Sequence, residues 1–368
     1  MAKYKRKTLP KDFEKKIITE DFEKLKEIFN ICDVNARAGY SKSSAFAFND
    51  CPDDLALWLV QQGADISAPD MYGATPLHSR SRHWKGRIEI LLELGADVNC
   101  VDNNRCTPLH YAAKSGNSRT TKILLEHGAN PNATNSRGQT PLEGALEVCR
   151  GSQIVDIVNI CDILIEHGRS ENKRSIIEII KNKKKTSHIT ELSKSYVQKI
   201  GEDFEFIRDR FNPDSLDESS IALQRLYQLF EVPPVPRRIM HDGQSPIIAT
   251  AALWEDRHQE LWKLLVPSSG HAATVQGEVI RISGRIHNEI YGNGGVNWNA
   301  DYRKMAKAFL THIASGEPLP ESANTEARKI ISGIKEDQGD TDRLCALAVE
   351  WVALNPTPVK LPTPDYKR

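Results

Sequence analysis

The side chains best equipped for chemistry cluster late in the chain. Gln276, Glu278, Arg281, Arg285 and His287 precede the glycine-rich stretch Gly292 to Gly295. A Glu and two Arg beside a mobile glycine loop could serve as an acid and an anion clamp. Glu278, Arg281, Arg285 and Glu289 stand three or four apart, which suits ion pairs along a solvated helix face, and that is the expectation. Trp254, Trp262, Trp298 and Trp351 read as core aromatics of a small helical domain, with a binding cage as the alternative. Cys100 and Cys106 flank a turn but lack a His or Cys partner at metal-binding spacing. There is no Walker loop, HExxH, GxSxG or GxGxxG opening a helix after a strand. The expectation is no cofactor, no metal and no catalytic residue, with the C-terminal helices as the one place where an active site could lie.

Composition narrows the class. The 368 residues are 39% hydrophobic and 27% charged, as in folded, water-soluble proteins, and suffice for two or three domains. Lys plus Arg and Asp plus Glu both number 49, so there is no overall electrostatic footprint for nucleic acid. Local basic patches occur at Lys3, Lys5, Arg6 and Lys7 and at Lys181, Lys183, Lys184 and Lys185, and read as solvated charge. Seven scattered cysteines without a CxxC pair suit a reducing compartment. No apolar stretch resembles a signal peptide or a membrane span, so a cytoplasmic protein without membrane contact is expected.

The elements that position these residues repeat. Thr75-Pro76-Leu77-His78, Thr107-Pro108-Leu109-His110 and Thr140-Pro141-Leu142-Glu143 recur at spacings of 32 and 33 residues. Gly63-Ala64-Asp65, Gly95-Ala96-Asp97 and Gly128-Ala129-Asn130 keep the same spacings after helical apolar runs. Thr caps a helix, Pro is tolerated at its first position, and Leu begins the buried face. Gly ends a helix where the backbone turns left-handed. Each unit therefore reads as turn, helix, turn, helix.

These motifs resemble the ankyrin repeat over about residues 19 to 169. The best unit runs from Asp102 to Ala133. The unit before it departs, with Arg80 and Ser81 where the family has alanines and Trp84-Lys85 for Gly-His, so its first helix is expected to pack less regularly. Residues 38 to 69 keep only the second helix. The last unit stretches from Gly128 to Gly168, about seven residues longer, as a terminal repeat can be. The resemblance implies an all-α solenoid, structural histidines that bond between neighbouring turns, and a concave surface that binds protein. The matching surface positions are Met71, Tyr72, Asn103, Asn104, Arg105, Ser136 and Arg137 in the turns. From the first helices come Ser79, Arg82, His83, Tyr111, Lys114 and Ser115, with Trp84 extruded because it replaces a glycine.

The domains are read as a basic N-terminal segment (1–18), ankyrin repeats (19–169), a helical extension (170–231), a Pro-rich linker (232–240), a C-terminal helical domain (241–360) and a tail (361–368). In the extension, Ile176, Ile177, Ile179 and Ile180 begin a helical pattern. The C-terminal domain resembles a small helical family of uncharacterised bacterial proteins through Leu261-Trp262, Thr274-Val275-Gln276-Gly277-Glu278, Asn297-Trp298 and Glu350-Trp351, a likeness that implies no activity. The expected function is recognition of a specific protein partner, for example by a bacterial immunity or antitoxin protein neutralising a toxin. The alternative is an enzyme or secreted effector whose C-terminal domain acts while the repeats select the target.

Overall fold

The computed structural model describes residues 5–174, 190–334 and 339–367, with side chains of 168–174 excluded. The helical pattern at Ile176 to Ile180 and the basic run Lys181 to Lys185 lie outside the described residues. The chain divides into two compact units, Met1–Phe204 with Asn212–Val235, and Glu205–Phe211 with Pro236–Arg368. Described residues are mainly helical.

The first unit opens with strand β1 (Arg6–Thr8), helices α1 (Phe13–Thr19) and α2 (Phe22–Ile31), and strands β2 (Cys32–Ala38) and β3 (Ser43–Ser44). β2 lies between the others, parallel to β1 and antiparallel to β3. Phe13 packs edge-on against Phe29 and Phe48. In residues 38 to 69 a 3-10 turn, Ala45–Ala47, stands before the second helix α3 (Asp53–Gln61).

Regular repeats follow. α4 (Pro76–Arg82), α6 (Pro108–Lys114) and α8 (Pro141–Val148) each begin at the proline of Thr-Pro-Leu, and pack side by side. α5 (Glu89–Glu93), α7 (Ser118–Glu126) and α9 (Ile154–Arg174) complete the pairs. At the ends of α3, α5 and α7 the Ala64, Ala96 and Ala129 amides reach back to the carbonyls of Leu59, Leu91 and Leu124, each at 2.9 Å. Gly63, Gly95 and Gly128 supply the left-handed residue this closure requires, at φ of 84°, 87° and 84°. Gly168 does not act this way, because α9 continues through it to Arg174.

The irregular unit is irregular in another place than its sequence suggests. α4 has the same seven-residue length as α6, whereas α5 has five residues against nine in α7. Arg80, where a small residue would normally pack, is fully buried. Its Nε donates to the Phe46 carbonyl at 2.7 Å and Nη1 to that of Arg87 at 2.9 Å. The guanidinium thus satisfies one backbone oxygen of the degenerate preceding unit and one in the loop after its own helix.

Beyond the repeats, α10 (Glu191–Ile207) and α11 (Pro213–Phe230) follow, and α11 packs on α9. Thr190 and Ser193 form a reciprocal cap at the start of α10. Thr190-Glu191-Leu192-Ser193 thus starts its helix with the same kind of reciprocal cap as Thr-Pro-Leu-His. Residues 232–240 carry neither helix nor strand.

The second unit contains α12 (Trp254–Leu265), α13 (Val275–Asn293), α14 (Ala300–Ile313), α15 (Glu321–Gly333) and α16 (Thr341–Leu354). α13 packs against α12, α14 and α16. Val279, Ile282, Ile286, Met305, Phe309, Leu344, Leu347 and Trp351 form its core.

Replacing Arg80 with Ala leaves two buried carbonyls unpartnered, so a loss of about 2–4 kcal/mol in unfolding free energy is expected. Arg80→Lys should recover little, since one ammonium does not span both oxygens. Urea denaturation followed by circular dichroism measures both, and a wild-type midpoint for Arg80→Ala would refute the role.

Candidate functional site

The turn tips of the first unit form a continuous row. The Met71 amide donates to the Ser41 carbonyl at 2.9 Å, Asn103 to Tyr72 at 3.0 Å, and Ser136 to Asn104 at 2.8 Å. Each turn is closed by its own side chain: Asp70, Asp102 and Asn135 accept from backbone amides two and four residues ahead. Because these bonds run along the backbone, the tip side chains are released outward.

The histidines make the links beneath. Thr75 and Thr107 donate their amides to Nδ1 of His78 and His110, which leaves Nε2 carrying the proton. Nε2 of His78 donates to the Cys106 carbonyl at 2.9 Å, and that of His110 to the Gln139 carbonyl at 3.1 Å, each in the following turn. Glu143 takes the corresponding place in the third unit, accepting from the Thr140 amide and, with its other oxygen, from the Thr190 hydroxyl at 2.7 Å. Burial pushes the His78 imidazole down and that of His110 down to about 4, so both are neutral structural groups.

None of the surface residues singled out from the sequence is buried. Met71, Tyr72, Asn103, Asn104, Arg105 and Ser136 stand along the tips. Arg137 stands there too, held by two hydrogen bonds to Glu147 at 2.8 and 2.7 Å. Arg82, His83, Trp84, Lys114 and Ser115 come together at the ends of α4 and α6. There the Ser115 hydroxyl donates to the Arg82 carbonyl at 3.0 Å, and the Asn117 amide group donates to the carbonyls of His83 and Trp84. Trp84 is 76% exposed. Ser79 and His83 border a smaller recess of about 170 Å³ with Glu14, Asn49 and Asp50. Tyr111 is engaged inside the repeat, donating its hydroxyl to Asp102 at 2.7 Å and standing edge-on to His78.

Sequence reading missed Tyr40, 81% exposed, and Lys42, both on the β2–β3 turn that continues the row of tips. The signal was Gly39, which adopts φ 69° where a repeat has lost its motif. It also missed a charge pattern. Lys42, Arg82, Lys85, Arg105 and Lys114 make no ion pair with any carboxylate among the described residues, while Asp70 and Asp102 are consumed in closing turns. A chain of zero net charge thus presents unpaired positive charge on this surface.

Residues 91–145 match the family model for ankyrin repeats. The matched segment runs from α5 into α8 and includes the most regular unit. A search of curated proteins gives no match to the chain, and the likeness of residues 240–360 to uncharacterised bacterial proteins gains no support. No helix among the described residues is long and apolar enough to cross a membrane.

The polar set of the second unit is not a solvated face. Gln276, Glu278 and Arg281 are fully buried, and Glu289 nearly so. Arg281 donates to both Glu278 oxygens, at 2.8 and 2.6 Å, and Glu278 also accepts from the Ala272 amide and the Tyr366 hydroxyl. Burial pushes the Glu278 carboxyl up, but these donors outweigh it and hold it below its ordinary value. Gln276 donates to the Asn355 and Thr357 carbonyls and accepts from the Val359 amide. Residues 355–359 are thereby bound over α13, and in the segment read as a tail Tyr366 is buried. Nor is the glycine loop loose: Glu289 accepts from the Asn297 amide at 2.6 Å and from the Asn293 side chain. Arg285 and His287 separate from this cluster and line a cleft instead. The four tryptophans form no cage: Trp351 lies in the core, Trp298 stacks on Tyr302, and Trp254 and Trp262 line the cleft.

Between pH 6.5 and about 4 the unfolded chain binds a proton at His110 that the folded chain refuses, and the lowered His78 acts in the same direction, so unfolding free energy should be full above 6.5 and fall as pH drops. At about 1.4 kcal/mol per pKa unit, His110 accounts for roughly 3 kcal/mol of that loss. His110→Gln should be less stable at neutral pH yet show a flatter profile; parallel slopes in urea titrations at several pH values would contradict this.

Proposed function

We propose that this chain is a protein-binding protein whose ankyrin-type solenoid extends from α2 to α11 and grips an acidic segment of a partner protein. The observation that carries the reading is the row of turn tips tied backbone to backbone, with Tyr40, Met71, Tyr72 and Arg105 facing outward beside unpaired cations. Exposed Tyr, Trp and Met offer large contact area, and Arg offers directional hydrogen bonds, the combination that dominates protein interfaces. The positive charge favours a partner rich in Asp or Glu. Thr190 and Tyr196, bonded to Glu143 and Gln139, support the continuation of the stack into α10. A cytoplasmic immunity or antitoxin protein, masking an acidic or apolar region of a toxin, is one role this surface would serve. The repeats carry no catalytic assignment.

A tagged chain should retain one stoichiometric partner from its native cells. Tyr111 is a poor probe of this surface, because removing it releases Asp102. Tyr72→Ala with Trp84→Ala, and separately Arg82→Glu with Lys85→Glu, should each weaken the purified complex at least about tenfold while leaving circular dichroism unchanged. Added salt should weaken the wild-type complex and have less effect on the charge-reversed one. A complex indifferent to both pairs would move the binding site off this surface.

A further inference from the structure

The second unit holds a feature that protein binding by the repeats does not use. Trp254, His258 and Trp262 stand four apart on α12 and so share one face of it. That face lines an open cleft of about 630 Å³ whose other wall is α13, through Gly284, Arg285, His287 and Asn288, with Tyr302, Asp342 and Cys345 beyond. This volume falls within the range of small-ligand sites.

The aromatic side chains behind this wall are stacked. The Trp262 ring lies at 20° to Phe206 and at 29° to His258, with centroids 6.3 and 6.2 Å apart. Gly284 makes this possible, since a Cβ there would stand 2.6 Å from the Trp262 ring. The polar edges of the cleft are of both kinds. The Ser283 hydroxyl donates to the Ile280 carbonyl and so accepts from Nε2 of His258 at 3.1 Å. Nδ1 of that 7% exposed imidazole is then its acceptor nitrogen. Burial holds the ring neutral, with its pKa pushed down to about 4. His287 turns Nδ1 toward Asp342 at 3.1 Å and Thr341 at 3.2 Å, which leaves its Nε2 edge available, and Asn288 and Gln259 add amides that donate and accept. Glu255 and Asp342 oppose Arg285, so the cleft favours neither sign of charge strongly. Burial pushes the Cys345 thiol up to about 12, which removes it as a nucleophile.

We propose that this cleft binds a planar heteroaromatic ring carrying hydrogen-bond donors and acceptors on its edge, the chemistry of a nucleobase in a nucleoside or mononucleotide. The ring stacks on Trp254 and Trp262, and its edge is read by the His258 acceptor and the Asn288 amide.

The test is calorimetry and tryptophan fluorescence of the full chain with the four common ribonucleosides, their 5′-monophosphates, and indole as a flat ring without such an edge. At least one nucleoside or nucleotide should bind at one per chain with a Kd below about 1 mM, and indole should bind more weakly. Trp254→Ala should weaken that binding at least about tenfold. Asn288→Ala, at an exposed position that does not threaten the fold, should weaken it several-fold and reduce discrimination among bases. The proposal is overturned if no nucleoside or nucleotide binds, if indole binds as tightly, or if both variants bind as the wild type does. A monophosphate that binds more tightly than its nucleoside, with both variants weakened, would support base recognition and assign the phosphate to Arg285.

Discussion

Helices of seven residues do not persist alone in water, because nucleation costs more than so few hydrogen bonds return. α4 and α6 are of that length, and they exist because each has a neighbour to lean on. The binding constraint in the first unit is therefore the coupling of one turn to the next. His78 and His110 supply it from below by donating to a carbonyl in the following turn, and the backbone row from Ser41 to Ser136 supplies it from above. Any residue that spans the same gap can substitute, which is why Glu143 serves in the third unit. There its second oxygen reaches Thr190 instead of a carbonyl.

That constraint explains what could be read from the residues directly. Helix starts at Pro76, Pro108 and Pro141 and stops at Gly63, Gly95 and Gly128 follow from capping chemistry confined to four or five adjacent positions, so local sequence contains the whole cause. Arg80 was opaque for the opposite reason: its acceptors are the carbonyls of Phe46, 34 residues earlier, and Arg87, brought together only when α4 is in place. The Thr190 motif was obscured because Glu replaces Pro and Ser replaces His, while the geometry of the cap survives. Gly168 misled because glycine permits a left-handed turn without compelling one.

The face of α13 shows the same limit more strongly. Glu278, Arg281 and Glu289 at ion-pairing intervals look like a solvated stripe, since helical spacing reports which residues share a face and not what covers it. Here the cover comes from residues 355–366, some eighty positions away, through Gln276, Glu278 and the Tyr366 hydroxyl. A buried Glu–Arg pair adds little net stability by itself, because desolvation opposes its attraction. Its value is in direction: four donors converge on one carboxylate, and one of them, the Tyr366 hydroxyl, fixes the segment that follows α16.

The two units thus solve one problem, the satisfaction of buried polar groups, by different routes with different consequences for function. In the repeats the satisfying bonds run from backbone to backbone or through a few committed side chains such as His78, His110, Asp102 and Asn135, so the outward tip side chains carry almost no structural duty. Asn103, Asn104 and Ser136 can change without unravelling the stack, and a surface of this kind is free to adapt to a partner. Tyr111 marks the boundary of that freedom, being half-exposed yet committed to Asp102. In the second unit side chains do the satisfying, and little of α13 is left free to vary. The exception is the stretch from Gly284 to Asn288, where the helix turns from the core to the cleft. A helix whose polar groups are otherwise spent internally presents Arg285, His287 and Asn288 from a rigid backbone beside an aromatic wall, and a preorganised backbone is what selective contact with a small rigid ligand requires.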